Sequence, residues 1–560
     1  MNDYKNSRIQ VCELLGIEPQ ELSYVLYKKG INNFYKQFKI PKKDGTYREI
    51  CAPDNKLKYI QKKLSKVLIG KQNEYNKEND IVLNISHGFV KNKGIITNAK
   101  IHRNKKILLN IDISNFFDSF HFGRVKGFLE KNKAFKFSTE VSTILAQLTC
   151  YKGKLPQGAP SSPIIANLIF NIVDMRILKI SKKYSLDYTR YADDLSFSTN
   201  NKSFFKNNEQ FIKDIESILE ISGFSINEKK LRLIYSSSRQ EVTGLTVNKK
   251  LNVNKKFIME TRAMANNEYR NGSFLINGEE GAINQLEGRF SFINQLDKHN
   301  NISFNNDKKN LNKKFMHGLN SREKQYQYFL FYKYFYNPEK PTIVTEGKTD
   351  ILHLKAALLK YYKIFPNLIS KKGENIELKI YFLKRSERLR YFLGVYPDGA
   401  DTMKNIFNFY KGKNNCFNIN EYLNKKREPN NVNLKRNPVI LLLDNEQESS
   451  GKKPLKEFLK YSNLKLSKKE TTIRIIDNLY LQTIPLLVNT KEMEIEDLYL
   501  DNVLLTKIGG KLFTKKEDYD NKLYFGKDYF SKLVYKNYKN IDFKNFLPLL
   551  NSINTIVSKN

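Results

Sequence analysis

The stretch LDYTRYADDLSFS, residues 186–198, places the adjacent carboxylates of Asp193 and Asp194 between two short runs of apolar and β-prone residues. The pattern predicts a β-hairpin with both aspartates at its tip. Adjacent carboxylates repel each other unless cations neutralise them. The pair therefore suits a nucleotidyl transferase, in which two divalent ions hold the attacking and the leaving oxygen. Aspartate pairs are also common in ordinary turns, so YADD alone leaves both interpretations open.

A third aspartate ends the apolar run ILLNID, residues 107–112, which predicts a buried strand. A single aspartate at such a strand end is often only the N-cap of a following helix. If Asp112 converges with Asp193 and Asp194, the three side chains can hold two Mg²⁺ ions, or Mn²⁺ in their place. Further on, Phe117 is either a core residue or, in a polymerase, a ring that excludes a ribose hydroxyl.

The loop between these strands, KLPQGAPSSP at residues 154–163, contains three prolines and one glycine before a predicted helix at 164–173. Such a stiff loop is either a plain connector or a support that holds a nucleotide against the metal site. In the second case Gln157 and Gly158 lie beside the nucleotide, and the start of the helix favours phosphate.

These parts, taken in order, resemble a reverse transcriptase. The segments GFSINEKK, residues 223–230, and VTGLTVN, residues 242–248, continue the resemblance. Two elements resemble the retron reverse transcriptases in particular: NAKIH at residues 98–102, and the VTG that opens the second segment. In that family VTG is associated with recognition of the cognate structured RNA. The resemblance covers somewhat more than half of the chain.

The resemblance implies roles for individual residues. Catalysis and metal binding are assigned to Asp112, Asp193 and Asp194. The nucleotide is assigned to Arg48, Phe117, Gln157, Gly158 and Lys229. RNA recognition is assigned to Asn98, His102, Val242, Thr243 and Gly244. Lys229 would protonate the leaving pyrophosphate, although a plain surface lysine fits the same pattern.

The C-terminal half begins a new α/β pattern. TIVTEGKTD, residues 342–350, predicts a strand followed by a Glu-Gly turn and a helix, and PVILLLDNE, residues 438–446, predicts a second buried strand. Carboxylates at the C-terminal ends of adjacent parallel strands share one crevice. This half resembles a Toprim domain, the catalytic module of topoisomerases, primases and overcoming-lysogenization-defect nucleases.

The Toprim resemblance implies that Glu346 is the general acid or base and that Asp444 and Glu446 hold Mg²⁺. The family pattern is Asp-x-Asp, whereas this chain has the longer glutamate at the second position, which changes the reach of that ligand. The later segment EIED, residues 494–497, is either an acidic segment of the same site or a helix cap.

We therefore predict an α+β right-hand polymerase with fingers, palm and thumb, followed by an α/β Toprim domain with a central, mostly parallel sheet. Pro338 and Pro341 mark the predicted boundary between these two parts. The predicted domains are an N-terminal helical extension (1–40), fingers and palm (41–248), thumb and connector (249–336) and a Toprim nuclease-like domain (337–560).

Composition agrees with a nucleic-acid partner. Lys+Arg is 96 against Asp+Glu 58, a formal net charge of +38, which predicts salt-sensitive contact with phosphates. An AT-rich genome also gives a lysine-rich chain. The four cysteines show no paired spacing, so neither a disulfide framework nor a zinc site is indicated. Because no signal segment and no long apolar run is evident, we expect a cytoplasmic protein without a membrane partner.

From the resemblance we expect an RNA-directed DNA polymerase that copies a cognate noncoding RNA into a branched, RNA-linked DNA (msDNA). Its expected partners are that RNA and its DNA copy, dNTPs, host RNase H, and further copies of the chain held by nucleic acid. The Toprim part is expected to be a nuclease effector in anti-phage defence. Two alternatives stay open: a defence polymerase with protein or primer-independent priming, and a non-catalytic nucleic-acid scaffold.

Overall fold

A computed structural model describes residues 2–42, 45–304, 318–373, 375–396, 401–428, 436–447, 451–467, 470–516 and 518–559. The chain divides into two compact units, residues 1–254 and 255–560. Each unit has buried apolar clusters of its own.

The first unit combines helices with small antiparallel sheets. Its helices are α1 (Asn2–Leu15), α2 (Pro19–Ser23), α3 (Asn55–Glu78), α4 (Ile95–Ile101), α5 (Phe122–Lys131), α6 (Thr139–Thr149), α7 (Ser162–Lys183) and α8 (Phe204–Ile221). Its strands are β1 (Tyr35–Pro41), β2 (Tyr47–Pro53), β3 (Ile107–Asp112), β4 (Asp187–Tyr191), β5 (Asp194–Thr199), β6 (Arg232–Tyr235), β7 (Glu241–Val242) and β8 (Leu245–Thr246).

The central sheet of this unit has the strand order β4-β5-β3-β6, and all neighbours are antiparallel. The predicted hairpin and the predicted strand 107–112 are both confirmed, the latter with the same bounds. Every residue of β3 except Asn110 is buried, as the apolar run requires. The register pairs Asp112 with Asp194, so strand pairing alone brings residues from distant parts of the chain together.

The N-terminal segment packs into the same core as the sheet, through Val11 and Leu15 of α1 against the cluster that contains Leu64 of α3. The prediction that residues up to 40 are helical is wrong at its end, because helical structure stops at Phe34 and β1 begins at the next residue. The backbone from 35 onward pairs residue by residue with β2, and the hydrogen bonds of this hairpin override the local pattern.

The second unit contains the remaining elements. Its helices are α9 (Lys255–Asn271), α10 (Ile283–Phe304), α11 (Ser321–Phe331), α12 (Asp350–Lys360), α13 (Glu387–Leu393), α14 (Asp401–Lys411), α15 (Ile419–Lys426), α16 (Pro454–Ser462), α17 (Asp501–Leu504), α18 (Lys527–Lys536) and α19 (Leu547–Lys559). Its strands are β9 (Leu275–Ile276), β10 (Glu279–Glu280), β11 (Thr342–Thr345), β12 (Ile369–Lys372), β13 (Asn375–Leu378), β14 (Tyr381–Phe382), β15 (Val439–Leu443), β16 (Thr472–Ile476), β17 (Leu479–Thr483), β18 (Leu512–Phe513) and β19 (Tyr524–Phe525).

A five-stranded sheet with the order β14-β11-β15-β17-β16 lies at the centre of this unit. Strands β14, β11, β15 and β17 are parallel, and β16 joins the edge in antiparallel orientation. Buried apolar clusters lie on both faces of the sheet, since alternate residues of β15 belong to different clusters. β15 is buried at every position, as expected of a strand covered on both faces.

The helices predicted to form the thumb share a core with this sheet. Phe290 of α10 stacks on Tyr326 of α11, whose ring centroid lies 4.9 Å from that of Phe392 in α13. Glu287 binds Lys333 at 2.5 Å and Arg388 at 2.6 Å. The predicted domain boundary at 336/337 therefore lies within one hydrophobic core, which contains residues from both sides of it. Among the described residues, no helix has the length and apolar character needed to cross a bilayer.

Candidate active sites

The predicted polymerase residues line one cavity of the first unit. The cavity has a volume of about 1160 Å³ and lies beside the ends of β3 and β5. Its walls include the three predicted metal ligands and most of the predicted nucleotide contacts: Asp112, Asp193, Asp194, Arg48, Phe117, Gln157 and Lys229. The sequence prediction that three distant carboxylates approach the same place is thus supported by the strand register and by this cavity.

The carboxylates of Asp193 and Asp194 ionise less readily in this cavity than in water. Burial within the cavity walls, followed by repulsion from Asp193 and Asp112, raises the pKa of Asp194 to about 7. Burial also raises the pKa of Asp193, and the charge of Asp112 contributes. Carboxylates that repel each other in this way are stabilised by a divalent cation with oxygen ligands, so the donor set fits Mg²⁺.

The Asp112 carboxylate is already engaged by two side chains. Lys230 Nζ lies 2.9 Å from Oδ2, and the Asn227 amide donates to Oδ1 at 3.0 Å. The hydrogen bond to Asp112 raises the pKa of Lys230. Across the described part of the chain, no three His, Cys, Asp or Glu side chains are already gathered as a metal-binding group. Ligation of a metal by these three aspartates therefore stays a prediction.

Sequence reasoning missed Lys230 and Asn227. Both lie in the segment GFSINEKK that the sequence singled out, but Lys229 was selected as the functional lysine. Lys229 and Lys230 both line the cavity, and only the structure decides which ammonium group reaches Asp112. Neighbouring residues leave a short 3-10 turn in different directions, so the pattern of residue types does not distinguish them.

The loop at 154–163 is held against the hairpin of β1 and β2. The Cys51 amide donates to the Gln157 carbonyl at 2.7 Å. Gly158 has a φ of +116°, and an added Cβ would lie 2.7 Å from Ile50 Cγ2. Glycine is therefore required for this close approach, which places Gln157 on the cavity wall. Gly158 itself is not among the lining residues, so its contribution to the site is through the backbone.

Phe116 and Phe117 both line the cavity but differ in burial. Phe116 is 4% exposed and packs edge-on against Phe120 and Phe170, which makes it a core residue. Phe117 is less buried and lies on the cavity wall. A role for Phe117 in sugar selection stays a prediction.

Comparisons with known proteins identify the family. The family model "Reverse transcriptase (RNA-dependent DNA polymerase)" matches residues 40–249, which contain the cavity. The retron Mx162 reverse transcriptase of Myxococcus xanthus is 29% identical over 319 residues, which cover 51% of this chain and 63% of that relative. The retron Ec86 reverse transcriptase of Escherichia coli is 30% identical over 295 residues, which cover 52% of this chain and 85% of that relative. The chain belongs to the retron reverse transcriptases.

The similarity stops short of the whole molecule. The matched segment covers about half of this retron reverse transcriptase, and it covers less than two thirds of the Mx162 relative. Among solved structures, telomerase from Candida albicans in complex with a fragment of telomeric RNA is similar over 53% of this chain and 60% of its own. Its sequence identity is 12% and its TM-score 0.32.

In this retron reverse transcriptase the NAKIH residues are enclosed by protein. Asn98 and His102 are both 0% exposed. His102 bonds Ser198 Oγ at 2.8 Å and Thr189 Oγ1 at 2.7 Å, and Thr189 in turn donates to Asn98 Oδ1 at 2.5 Å. Because the Thr189 hydroxyl donates its proton to Asn98 Oδ1, its oxygen accepts a hydrogen bond from His102 Nε2. Burial lowers the pKa of His102 to about 3, so the ring is neutral.

Asn98 and His102 therefore present no exposed side chain to RNA, and the role in RNA recognition assigned to them stays a prediction. Their side chains brace α4 against the strands of the YADD hairpin. Val242 is also buried, at 1% exposure, whereas Gly244 is exposed in the turn between β7 and β8. The hydroxyl of Thr243 lies 3.5 Å from the carbonyl of Ile95, at the start of α4. The two retron elements therefore adjoin.

A second acidic cluster lies at the C-terminal ends of β11 and β15. These strands are parallel neighbours, and Glu346 and Asp444 directly follow them. The Asp444 amide approaches Glu346 Oε2 at 3.4 Å. Asp350 accepts from the Gly347 amide at 2.8 Å, and Glu446 is bound by Lys453 at 2.7 Å. The predicted crevice of carboxylates thus has the expected residues along its edge.

The charges of this cluster are also poorly compensated. Burial, with repulsion from Asp350 and Glu446, raises the pKa of Glu346 to about 7. Burial and repulsion from Glu346 raise the pKa of Asp444 well above its usual value. Oxygen donors in this state fit Mg²⁺ in the same way as those of the first cavity.

The segment EIED, which the sequence left as a site segment or a helix cap, begins a short helix beside Asp444. Glu494 caps the short helix Ile495–Leu498, and the Ile495 amide donates to Asp444 Oδ1 at 3.2 Å. Glu496 is 1% exposed, and neither of its carboxylate oxygens has a hydrogen-bond partner among the described residues. Lys527 of α18 lies 3.1 Å from Glu494 and 3.5 Å from Glu496. Lys527 was not found from the sequence, since nothing in its local pattern distinguishes it.

Proposed function

We propose that this protein is an RNA-directed DNA polymerase whose first unit carries the polymerase site. The observation that carries this proposal is the convergence of Asp112, Asp193 and Asp194 on one cavity that also contains Gln157 and Arg48. A primer hydroxyl attacks the α-phosphate of a dNTP, and pyrophosphate leaves. Bound Mg²⁺ supplies the charge that activates the hydroxyl and neutralises the developing phosphate charge.

The residues of the chain hold and orient the reactants. Asp112, Asp193 and Asp194 would supply the carboxylate oxygens that hold the cations. Lys230, whose Nζ lies 2.9 Å from Asp112 Oδ2, would hold a proton at the cavity wall that can be given to the leaving pyrophosphate. Arg48 contacts the phosphates, while Phe117 bears on the sugar.

Labelled-dNTP incorporation on an RNA template tests the polymerase. Asp193→Asn and Asp194→Asn should each abolish incorporation, because an amide cannot replace a carboxylate ligand of Mg²⁺. Glu209→Gln, which changes an exposed carboxylate on α8, is the matched control and should retain wild-type activity. Incorporation that survives both aspartate substitutions would favour the alternative of a non-catalytic nucleic-acid scaffold.

The template and primer follow from membership of the retron family. We infer that the template is a cognate structured RNA and that DNA synthesis begins on an internal 2′ hydroxyl, which gives a branched msDNA trimmed by host RNase H. The excess of positive charge supports a product that stays bound. Sequencing of the copurified nucleic acid, with mapping of a 2′–5′ branch, tests this. A DNA product that is attached to protein, or to nothing, would favour the alternative priming modes.

We further propose that the second unit contains a Toprim-like, metal-dependent nuclease that acts as an effector in anti-phage defence. Support comes from Glu346 and Asp444 at the ends of adjacent parallel strands, with Glu446 close by. Here Glu346 serves as the general acid or base, and Asp444 and Glu446 hold the cation. The polymerase product keeps this nuclease inactive until infection disturbs the complex.

Infection of cells that express the protein with its RNA tests the effector. Glu346→Gln should abolish growth arrest during infection while DNA synthesis continues, because the polymerase site is unchanged. Glu377→Gln, an exposed glutamate of β13, is the matched control. Growth arrest that persists in the Glu346 variant would show that this cluster is not the effector.

A further inference from the structure

A buried arginine lies directly behind the YADD turn. Arg190, on β4, is 0% exposed and forms a two-pronged ion pair with Asp174 of α7, with Nε 3.0 Å from Oδ1 and Nη2 2.7 Å from Oδ2. Asp174 is 1% exposed and also accepts from the Tyr188 hydroxyl at 2.7 Å. The two buried charges compensate each other, which such depth requires. One guanidinium nitrogen, Nη1, is left for other partners.

That nitrogen holds the main chain of the turn. Arg190 Nη1 donates to the Ala192 carbonyl at 3.2 Å and to Asn167 Oδ1 at 2.9 Å. Ala192 has a φ of +57°, in the left-handed region that residues with a Cβ rarely adopt. Such a conformation persists only where the surroundings fix it. The carbonyl that Arg190 holds belongs to the peptide unit that carries the Asp193 nitrogen.

A glycine also lies against the turn. A Cβ added to Gly88 would lie 2.8 Å from the Ala192 nitrogen. Asn167, the second partner of Arg190 Nη1, also donates to the Gly88 carbonyl at 2.8 Å. Ala192 is therefore held at its carbonyl by the Arg190 guanidinium and approached closely at its nitrogen by the Gly88 backbone.

We propose that Arg190 is a positioning residue for the polymerase site: with Asn167 and Gly88 it locks Ala192 in its left-handed conformation, so that the Asp193 carboxylate faces the cavity where cations bind. Arg190 touches no reactant and acts through the main chain. The inference rests on the proposed polymerase function only for its catalytic consequence. The consequence for cation binding is independent of catalysis.

Arg190→Lys tests the role directly. Lysine keeps the positive charge for Asp174, but a single ammonium group cannot reach Asp174 and the Ala192 carbonyl as the guanidinium fork does. All variants are compared in a background that carries Asp444→Asn, so that the second acidic cluster does not hold Mn²⁺. Titration of this full-length protein with Mn²⁺ alone, followed by electron paramagnetic resonance, should give Arg190→Lys an affinity about tenfold lower than the background protein, and kcat should fall by at least about tenfold. The KM for dNTP should stay within about threefold.

Two further variants separate positioning from general stability. Gly88→Ala leaves the ion pair intact and places a Cβ against the Ala192 nitrogen, so it should weaken Mn²⁺ binding as Arg190→Lys does. Tyr188→Phe removes a hydrogen bond from the same buried ion pair without touching the turn. Its thermal unfolding temperature should fall, while its Mn²⁺ affinity should equal that of the background protein.

These measurements test the positioning role of Arg190 separately from the polymerase function. If Arg190→Lys folds and binds Mn²⁺ as tightly as the background protein, the inference is overturned, and the same holds if Tyr188→Phe weakens binding equally. If Arg190→Lys does not fold, Gly88→Ala decides by the same measurement. A wild-type protein that binds Mn²⁺ but incorporates no dNTP would instead contradict the proposed polymerase function and leave the Mn²⁺ comparison valid.

Discussion

Individual side chains decide how the first cavity is prepared for a cation. Asp112 is held by Lys230 and Asn227, whereas burial, with repulsion from neighbouring carboxylates, raises the pKa values of Asp193 and Asp194. The Lys230 ammonium therefore supplies positive charge to one of the three carboxylates.

The choice between adjacent lysines can be tested by substitution. We expect Lys230→Met to lower kcat by about 100-fold, because loss of a positioned general acid has effects of that order. Lys229→Met, the matched control, should lower kcat by less than about threefold, since no ion pair ties it to the aspartates. Single-turnover incorporation rates measure both. Equal losses in the two variants would mean that the lysines contribute only as general positive charge.

The raised pKa of Asp194 predicts a pH-dependent Mg²⁺ requirement. A cation binds the deprotonated carboxylate, so protons compete with Mg²⁺ below the pKa of about 7. The Mg²⁺ concentration that gives half-maximal incorporation should fall about tenfold for each pH unit as the pH rises toward that value, and then level off. Mg²⁺ titrations at several pH values measure this. A requirement that is constant across the range would contradict the raised pKa.

Helices and strands fix these side chains through their ends. Helix α3 contributes Leu57, Leu64 and Leu68 to the hydrophobic core of the first unit. Its N-terminus is capped by Asp54, whose Oδ1 accepts from the Lys56 and Leu57 amides at 3.1 Å. The sequence signals this cap plainly, since aspartate before a periodic apolar run is a strong helix start.

Removal of that cap should destabilise the first unit by a small, measurable amount. Asp54→Ala should lower the free energy of unfolding by about 1 kcal/mol, the usual contribution of a helix N-cap. Asp54→Asn is the matched control, because asparagine keeps the cap and loses only the exposed ion pair with Lys29. Urea unfolding compares the three proteins. An equal loss in both variants would assign the effect to the ion pair.

The boundary between the two compact units differs from the domain boundary that the sequence motifs predict. The boundary between compact units lies at 254/255, and the segment 255–336 packs with the α/β sheet. The hydroxyl of Tyr410 donates to the Phe335 carbonyl at 2.7 Å. The ring centroids of Tyr410 and Phe331 lie 5.1 Å apart. The predicted thumb helices and the acidic cluster that follows them therefore belong to one compact unit.

Truncation tests this division. A chain of residues 255–560 should fold cooperatively, whereas 337–560 should not, because loss of Tyr326, Phe329 and Phe331 removes several core aromatic side chains. Each such loss costs about 3–5 kcal/mol, and together they exceed the stability of a typical domain. Thermal unfolding and proteolysis of the two fragments measure the outcome. A cooperative transition for 337–560 would restore the boundary at the two prolines.

Local patterns alone specified several features of this protein. The strand ILLNID, the YADD hairpin and the strands before Glu346 and Asp444 follow from period-two or continuous apolar runs, which depend only on neighbours in the chain. Tertiary structure decided the rest: that Lys230 and not Lys229 binds Asp112, that Asn98 and His102 are buried, and that the thumb helices share the α/β core. These depend on contacts between residues far apart in the chain, whose geometry no local pattern records.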